Sequence, residues 1–273
     1  MKKTAALAQK IGIIGCGHMG SAIAQALLSN SITVWASNRH EPHFKASAQQ
    51  KKNFHWTVDN NEVVDSTDII IVAVKPGNVS EVLAQISERL TPHHIVVSIA
   101  AGISLKTIKR SSGDHAKIVR VMPNLPVQVL EGVSVWKAEG LSAQEKKEVQ
   151  SLLEECGTAL EVKNEELINA ATAISGGGPA YTAAFLESMA KAAEESGFSA
   201  EDARCLALAT VHGSLAYLAE TCMEFSELKN AVQTKGGTTE AGFKVLKKKK
   251  WQESLEQAFK AGQKRAQELS RGN

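Results

Sequence analysis

Residues 11–20 read Ile11-Gly12-Ile13-Ile14-Gly15-Cys16-Gly17-His18-Met19-Gly20, and the fold turns on them. A short β-branched run ends in G-x-G-x-x-G, and an apolar helical pattern follows at once over 21–30. Each glycine has a separate reason. Gly15 permits a tight turn, Gly17 lets a pyrophosphate approach the backbone, and Gly20 lets helix and strand pack closely. The helix start behind them offers free N–H groups and a partial positive charge. The stretch from Ile14 to Gly20 is therefore expected to cradle a dinucleotide, with Cys16 and His18 as loop filler rather than chemistry.

Outward from this loop, short apolar runs recur at 32–36, 69–73, 95–98 and 118–121. They are apolar almost throughout instead of alternating, as strands covered by helices on both faces must be. Helical patterns lie between them at 79–90 and 105–110. Late strands are expected at 132–136 and 159–162, with a helix over 143–155. The repetition implies an α/β fold with a doubly wound, mostly parallel sheet. From about residue 166 the strand runs vanish. Five of the six prolines lie at or before Pro126, and Pro179 stands where a helix begins. Gly197 would stop that helix and Ser199 would cap another running to about Thr221. Residues 1–164 read as a dinucleotide-binding Rossmann domain. Residues 165–273 read as an all-helical, alanine-rich domain whose sparse aromatics suggest that a partner subunit completes its core.

The end of the second strand selects the dinucleotide. Sites for NAD carry Asp or Glu there to hold the ribose 2′-hydroxyl. Here the chain reads Ser37-Asn38-Arg39, with no acid until Glu41. A carboxylate would repel a 2′-phosphate, whereas Arg39 can form charge-assisted bonds to it. NADPH is expected, with NADH the weaker partner; the alternative for Arg39 is a solvated loop residue. Ala73-Val74-Lys75-Pro76 and Ile99-Ala100-Ala101 sit just past strand ends, the edge where open α/β sheets bind ligands. Lys75 at a strand exit reads as meeting a backbone or cofactor oxygen rather than as a catalytic acid.

Several segments in this order resemble pyrroline-5-carboxylate reductase: G-C-G-H-M-G at 15–20, A-V-K-P at 73–76, S-I-A-A-G-I-S at 98–104, R-V-M-P-N-L-P at 120–126, S-G-G-G-P-A-Y at 175–181 and G-G-T-T at 236–239. Leu125, Gly177 and Gln233 depart from the usual pattern and bear on the shape of the substrate pocket. The resemblance implies NADPH-dependent hydride transfer to the cyclic imine of 1-pyrroline-5-carboxylate, giving L-proline, the last step of its synthesis. It implies that Thr239 contacts the ring nitrogen and assists protonation, with a plain helix cap as the alternative. A carboxylate-bearing substrate needs a receptor. Gly236, Gly237, Thr238 and Thr239 lead into a helical pattern over 240–246 whose N–H groups can supply one without an arginine, and Thr234 adds a hydroxyl. Ser175 to Gly178 would form a second pocket wall, where three glycines before Pro179 expose backbone to a small ring. The resemblance also places Glu165 near the substrate and Asn60, at the start of a helix, near the adenosine ribose. Family members interlock as homodimers through the helical domain, and many build rings of dimers.

The remaining features narrow the function by exclusion. Lys and Arg total 31 against 29 Asp and Glu, a net charge of +2, so no basic field points to nucleic acid or membrane. Lys247 to Lys250 read as a solvated turn. No apolar run approaches the ~20 residues of a membrane helix. Thr4-Ala5-Ala6-Leu7-Ala8 behind Lys2-Lys3 begins like a secretory signal, yet stops at Gln9-Lys10, and a signal peptide is not expected. Cys16, Cys156, Cys205 and Cys222 form no C-x-x-C pair, which fits a reducing cytoplasm. His93-His94 and His40/His43 lack metal-ligand spacing, so no metal is expected. A hydroxyacid-type dehydrogenase would need a lysine on the helix after the glycine segment, and none occurs before Lys191, roughly three turns on. A non-catalytic NADP sensor would not need G-G-T-T.

Overall fold

The computed structural model describes residues 10–40 and 47–271. Residues 1–8, which carry the signal-like segment, and Glu41 and His43 lie outside them. In chain order the first part runs β1 (Ile11–Ile14), α1 (His18–Ser29), β2 (Val34–Ser37), α2 (Ala48–Lys52), β3 (Phe54–Thr57), α3 (Asn60–Ser66), β4 (Ile69–Val72), α4 (Val79–Ile86), β5 (Ile95–Ser98), α5 (Leu105–Ser111), β6 (Ile118–Met122), β7 (Gly132–Glu139), α6 (Ala143–Glu154) and β8 (Gly157–Glu161). After β8 the elements are helical: α7 (Glu166–Ala171), a π turn (Thr172–Gly176), α8 (Gly178–Glu195), α9 (Ala200–Thr221), α10 (Phe225–Val232), α11 (Thr238–Lys248) and α12 (Trp251–Arg271).

The eight strands form one sheet in the order β3-β2-β1-β4-β5-β6-β7-β8. All neighbours are parallel except β6 and β7. The order leaves β1 in both directions, toward β2 and toward β4, so the crevice between those two connections opens at the strands' C-terminal ends. The strands β1, β4 and β5 are buried at every position. Alternate residues feed two cores. Ile13, Ile71, Val97 and Val119 pack with α1 and α6, while Ile14, Ile70, Val96 and Ile118 pack with α3, α4 and α5. Each fully buried Ile or Leu contributes about 1.5–3 kcal/mol, which is why the unbroken apolar runs fold as they do.

Three differences between sequence and structure bear on the layout of the fold. The strand β3 is absent from the apolar pattern because it is an edge strand, Phe54-His55-Trp56-Thr57, with no buried position. It is held by pairing with β2 and by Trp35 stacked on His55, ring centroids 4.3 Å apart. Helix α1 starts at His18 and not Ser21, so Gly20 is inside its first turn. Finally, the helical stretch is not one compact body. Residues through Gly177, rejoined by those from Gly262 onward, form one unit, and Gly178–Ala261 form the other. The first helical elements, α7 and the π turn, stay with the sheet: Ile168 and Ala171 pack with Val135 of β7. In the second unit α8 packs on α9, Ser199 caps α9 through the Asp202 N–H, and Tyr181 meets Phe259 edge-on at 5.0 Å. Among the described residues of that unit only Ala203 and Ala207 are buried.

Candidate active site

The glycine loop is built as a cradle. Gly15 adopts φ +96°, a left-handed conformation open to glycine, and its N–H donates to the Ser37 carbonyl at 2.9 Å. That bond ties the end of β1 to the end of β2. Gly17 is the N-cap of α1, extended, and no side chain caps the helix. The N–H groups of His18, Met19 and Gly20 therefore find no acceptor among the described residues. A Cβ on Gly20 would stand 2.1 Å from the Gly15 carbonyl oxygen, whereas one on Gly17 would meet nothing within 4 Å. Close packing is required at one glycine, and open space for a ligand lies at the other. Cys16 is more than filler. Its side chain is buried in the core beside Ile13 and Ile23, and burial pushes its thiol up to about 12, so it stays neutral.

A cavity of about 510 Å³ opens from this cradle. It brings together Ile14, Gly15, Gly17, Ser37, Asn38, Arg39, Asn60, Ala73, Val74 and Lys75 of the expected cofactor residues. Arg39 and Lys75 are exposed, and neither pairs with an acid among the described residues. Ser37, wholly buried, donates to Asn60 Oδ1 at 2.7 Å, and Asn60 Nδ2 donates to Gln85 Oε1 at 2.8 Å. Cys16, His18, Met19, Gly20, Pro76, Ile99, Ala100 and Ala101 do not line this cavity. Pro76 opens a 3-10 turn after β4, and Ile99 and Ala100 are buried behind β5. Sequence reasoning missed Val58, Asn78, Glu81, Val82 and Gln85. Asn78 just before α4 and Glu81, Val82 and Gln85 on it recur at i, i+3, i+4 and i+7, a face beside that of the buried Val79, Leu83 and Ile86. Three of the four are polar, but Val82 also packs on the core, and no local pattern says which cavity the stripe meets.

The expected substrate residues fall into two groups. In the first unit, Glu165 Oε1 accepts from Arg120 Nη1 at 2.7 Å and from the Leu105 N–H at 2.8 Å. Arg120 Nη2 donates to Asn169 at 2.7 Å, and its side chain is 3% exposed. A buried guanidinium must be paired, so Glu165 serves first to neutralise Arg120 and to join β6 to the starts of α5 and α7. The resemblance places Glu165 near the substrate; in the structure its Oε1 is held by Arg120 and the Leu105 N–H. The pair borders a polar cavity of about 570 Å³ that Lys137 and Lys163 also line. Ser175 lies in the π turn, its hydroxyl donating to the Ala171 carbonyl at 3.0 Å and its own carbonyl accepting from Asn124 at 3.0 Å.

In the second unit, Gly178 opens α8 and its carbonyl accepts the Thr182 hydroxyl at 3.1 Å. Thr234, Gly236, Gly237, Thr238 and Thr239 come together at the start of α11. Gly236 adopts φ +77°, Gly237 N–H donates to the Thr234 carbonyl at 3.0 Å, and Gly237 is an extended N-cap with no capping side chain. The N–H groups of Thr238, Thr239 and Glu240 again find no acceptor among the described residues. Gly236 N–H is the exception, donating to Glu240 Oε2 at 2.9 Å. Among the described residues the Thr239 hydroxyl, half-buried, makes no hydrogen bond, which leaves it available to a ligand.

Two family models match: pyrroline-5-carboxylate reductase dimerisation over residues 165–269, and NADP oxidoreductase, coenzyme F420-dependent, over residues 10–102. Over 96% of its length the chain is 34% identical to the pyrroline-5-carboxylate reductase of Methanosarcina acetivorans, covering 98% of that protein. The chain belongs to the pyrroline-5-carboxylate reductase family. The Aquifex aeolicus enzyme of this family is also 34% identical, over 96% of this chain and 98% of its own. The crystal structure of Plasmodium falciparum pyrroline carboxylate reductase with NADP bound superposes with a TM-score of 0.87 at 30% identity, over 97% of this chain and 100% of that one. The doubly wound sheet followed by helices is thus the fold of this reductase family.

Proposed function

We propose that this protein reduces 1-pyrroline-5-carboxylate to L-proline with NADPH, the final step of proline synthesis. The observation that carries the reading is shared by two helix starts. Both α1 and α11 open on an extended glycine N-cap without a capping side chain, and both leave three first-turn N–H groups without an acceptor among the described residues. Orphan N–H groups at a helix start suit an anion. The first matches a pyrophosphate, the second a substrate carboxylate. Arg39, exposed and free of acids among the described residues, suits a 2′-phosphate.

NADPH, when bound, supplies the hydride; the chain supplies position and one proton route. Gly15 to Gly20 hold the phosphates, and Ser37, Asn38, Arg39 and Asn60 the adenosine half. The N–H groups of Thr238 and Thr239 hold the carboxylate, leaving the Thr239 hydroxyl to bond the ring nitrogen. A hydroxyl is too weak an acid to donate outright, so it holds the protonated imine or relays a proton from water. Carbon takes the hydride and nitrogen keeps the proton, which balances imine to amine. Orientation contributes most here, since a protonated imine is already a good electrophile. A hydroxyacid-type dehydrogenase is disfavoured: Lys191 stands about 20 Å along α8 from Gly178.

We assign cofactor binding to residues 1–164 and the substrate and dimer contacts to 165–273; the dimerisation match beginning at residue 165 supports this division. The working form is a homodimer, with a ring of dimers as its further assembly, and the four free cysteines fit the cytoplasm. The test is cofactor oxidation with 1-pyrroline-5-carboxylate, followed by identification of the product. L-Proline should form, with kcat/KM higher for NADPH than NADH, and Arg39→Ala should narrow that gap. Thr239→Ala should lower kcat/KM by about 10²-fold or more. Absence of turnover with both cofactors would overturn the assignment.

A further inference from the structure

Asn60 is held from two sides in the cofactor cavity, by Ser37 at the end of β2 and by Gln85 on α4. A primary amide has two N–H donors and a carbonyl with two lone pairs. Asn60 therefore spends one donor on Gln85 and one lone pair on Ser37, and keeps one of each. A ribose hydroxyl, at once donor and acceptor, matches what remains. Its recognition requires the amide in one orientation.

Two further facts separate this arrangement from a folding device. Gln85 is exposed, and α4 is anchored by Val79, Leu83 and Ile86 on the adjoining face. An exposed amide–amide bond adds little to stability. Among the described residues Gln85 has no other partner. Its neighbours on the same stripe, Glu81 and Val82, line the same cavity.

We infer that Gln85 is a positioning residue for the cofactor: it fixes the Asn60 amide so that the remaining donor and acceptor are set for a ribose hydroxyl of the adenosine half. The inference rests on the NADPH reading above. The gain is preorganisation, because an unrestrained Asn60 side chain would lose rotamer freedom on binding.

The measurement is the Kd of NADP+ by fluorescence titration without substrate, beside steady-state kinetics and thermal melts. Gln85→Leu should raise the Kd for NADP+ and the KM for NADPH about three- to tenfold, with the loss confined to KM. Its Tm should stay within about 2 °C of wild type. Gln85→Glu keeps an acceptor for Asn60 and should recover most of the loss when binding is measured with NADH. In an Asn60→Ala background Gln85→Leu should cost nothing further. Wild-type affinity in Gln85→Leu, or an equal cost in the Asn60→Ala background, would overturn the inference. Failure of the unchanged protein to bind NADP+ would remove it together with the proposed function, whereas NADP+ binding with these effects but no turnover would remove only the latter.

Discussion

Gly17 and Gly20 lie three residues apart, yet one added methyl group should have opposite consequences at the two. At Gly20 the methyl is driven onto the Gly15 carbonyl oxygen at 2.1 Å, and backbone cannot yield as a side chain would. Gly20→Ala must push α1 off β1, at an overpacking cost of about 1–3 kcal/mol. At Gly17 the methyl points into open space and φ is −74°, which alanine adopts freely. Only a ligand resting on the loop would meet it. Gly17→Ala should therefore keep the wild-type melting temperature within about 2 °C. It should weaken NADP+ binding at least about tenfold, through loss of charge-assisted N–H contacts worth about 1.5–3 kcal/mol each. Melts and NADP+ titrations on the two variants check this; a Gly17→Ala protein that binds as wild type would show that the phosphates lie elsewhere.

Among the elements, α6 carries a device sensitive to acid. Its Ser142 accepts the Glu145 N–H at 3.3 Å while Glu145 accepts the Ser142 N–H at 2.8 Å, and Glu145 also pairs with Lys117 before β6. Lys117, with help from the Ser142 N–H, holds the Glu145 carboxyl down at about 2, below its ordinary 4.5. The folded state thus binds this proton more weakly than the unfolded one. The contribution is fully present above pH 4.5 and disappears as pH falls toward 2. Urea melts should show wild type losing stability across that window more steeply than Glu145→Gln, which should be the less stable of the two at pH 7; parallel curves would refute it. Sequence legibility also divides by element. Buried strands announced themselves because both faces need apolar residues, so β1, β4 and β5 could be read to within a residue. The strand β3 could not, since its stability comes from one neighbour and a Trp35–His55 stack that no local pattern encodes. The glycine loop was readable as a contiguous motif. The α4 stripe and the Arg120–Glu165 pair were not, because their meaning depends on which surface the sheet brings opposite them.

For the whole molecule, the second unit sets the condition for function. Its longest helix, α9, buries only Ala203 and Ala207, and it exposes Leu206, Leu208, Leu215 and Tyr217. Leu215 is 61% exposed and Phe225, on α10, 81%. Apolar side chains uncovered on opposite sides of one helix are what a helix meant to be buried presents, and they mark a surface that another chain covers. The dimerisation match over 165–269 gives that chain its identity in our proposal, a second copy. The first unit has a complete core of its own on both faces of the sheet. Cofactor binding and assembly should therefore separate. Leu215→Glu buries a charge in the proposed interface. It should convert a particle of twice the 29.2 kDa chain mass into one of a single mass by light scattering. NADP+ affinity should stay within about threefold, less than 1 kcal/mol, while reduction of 1-pyrroline-5-carboxylate should fall to background. A Leu215→Glu protein that is monomeric and fully active would show that one chain suffices for catalysis, and a monomeric wild type would remove the dimer altogether.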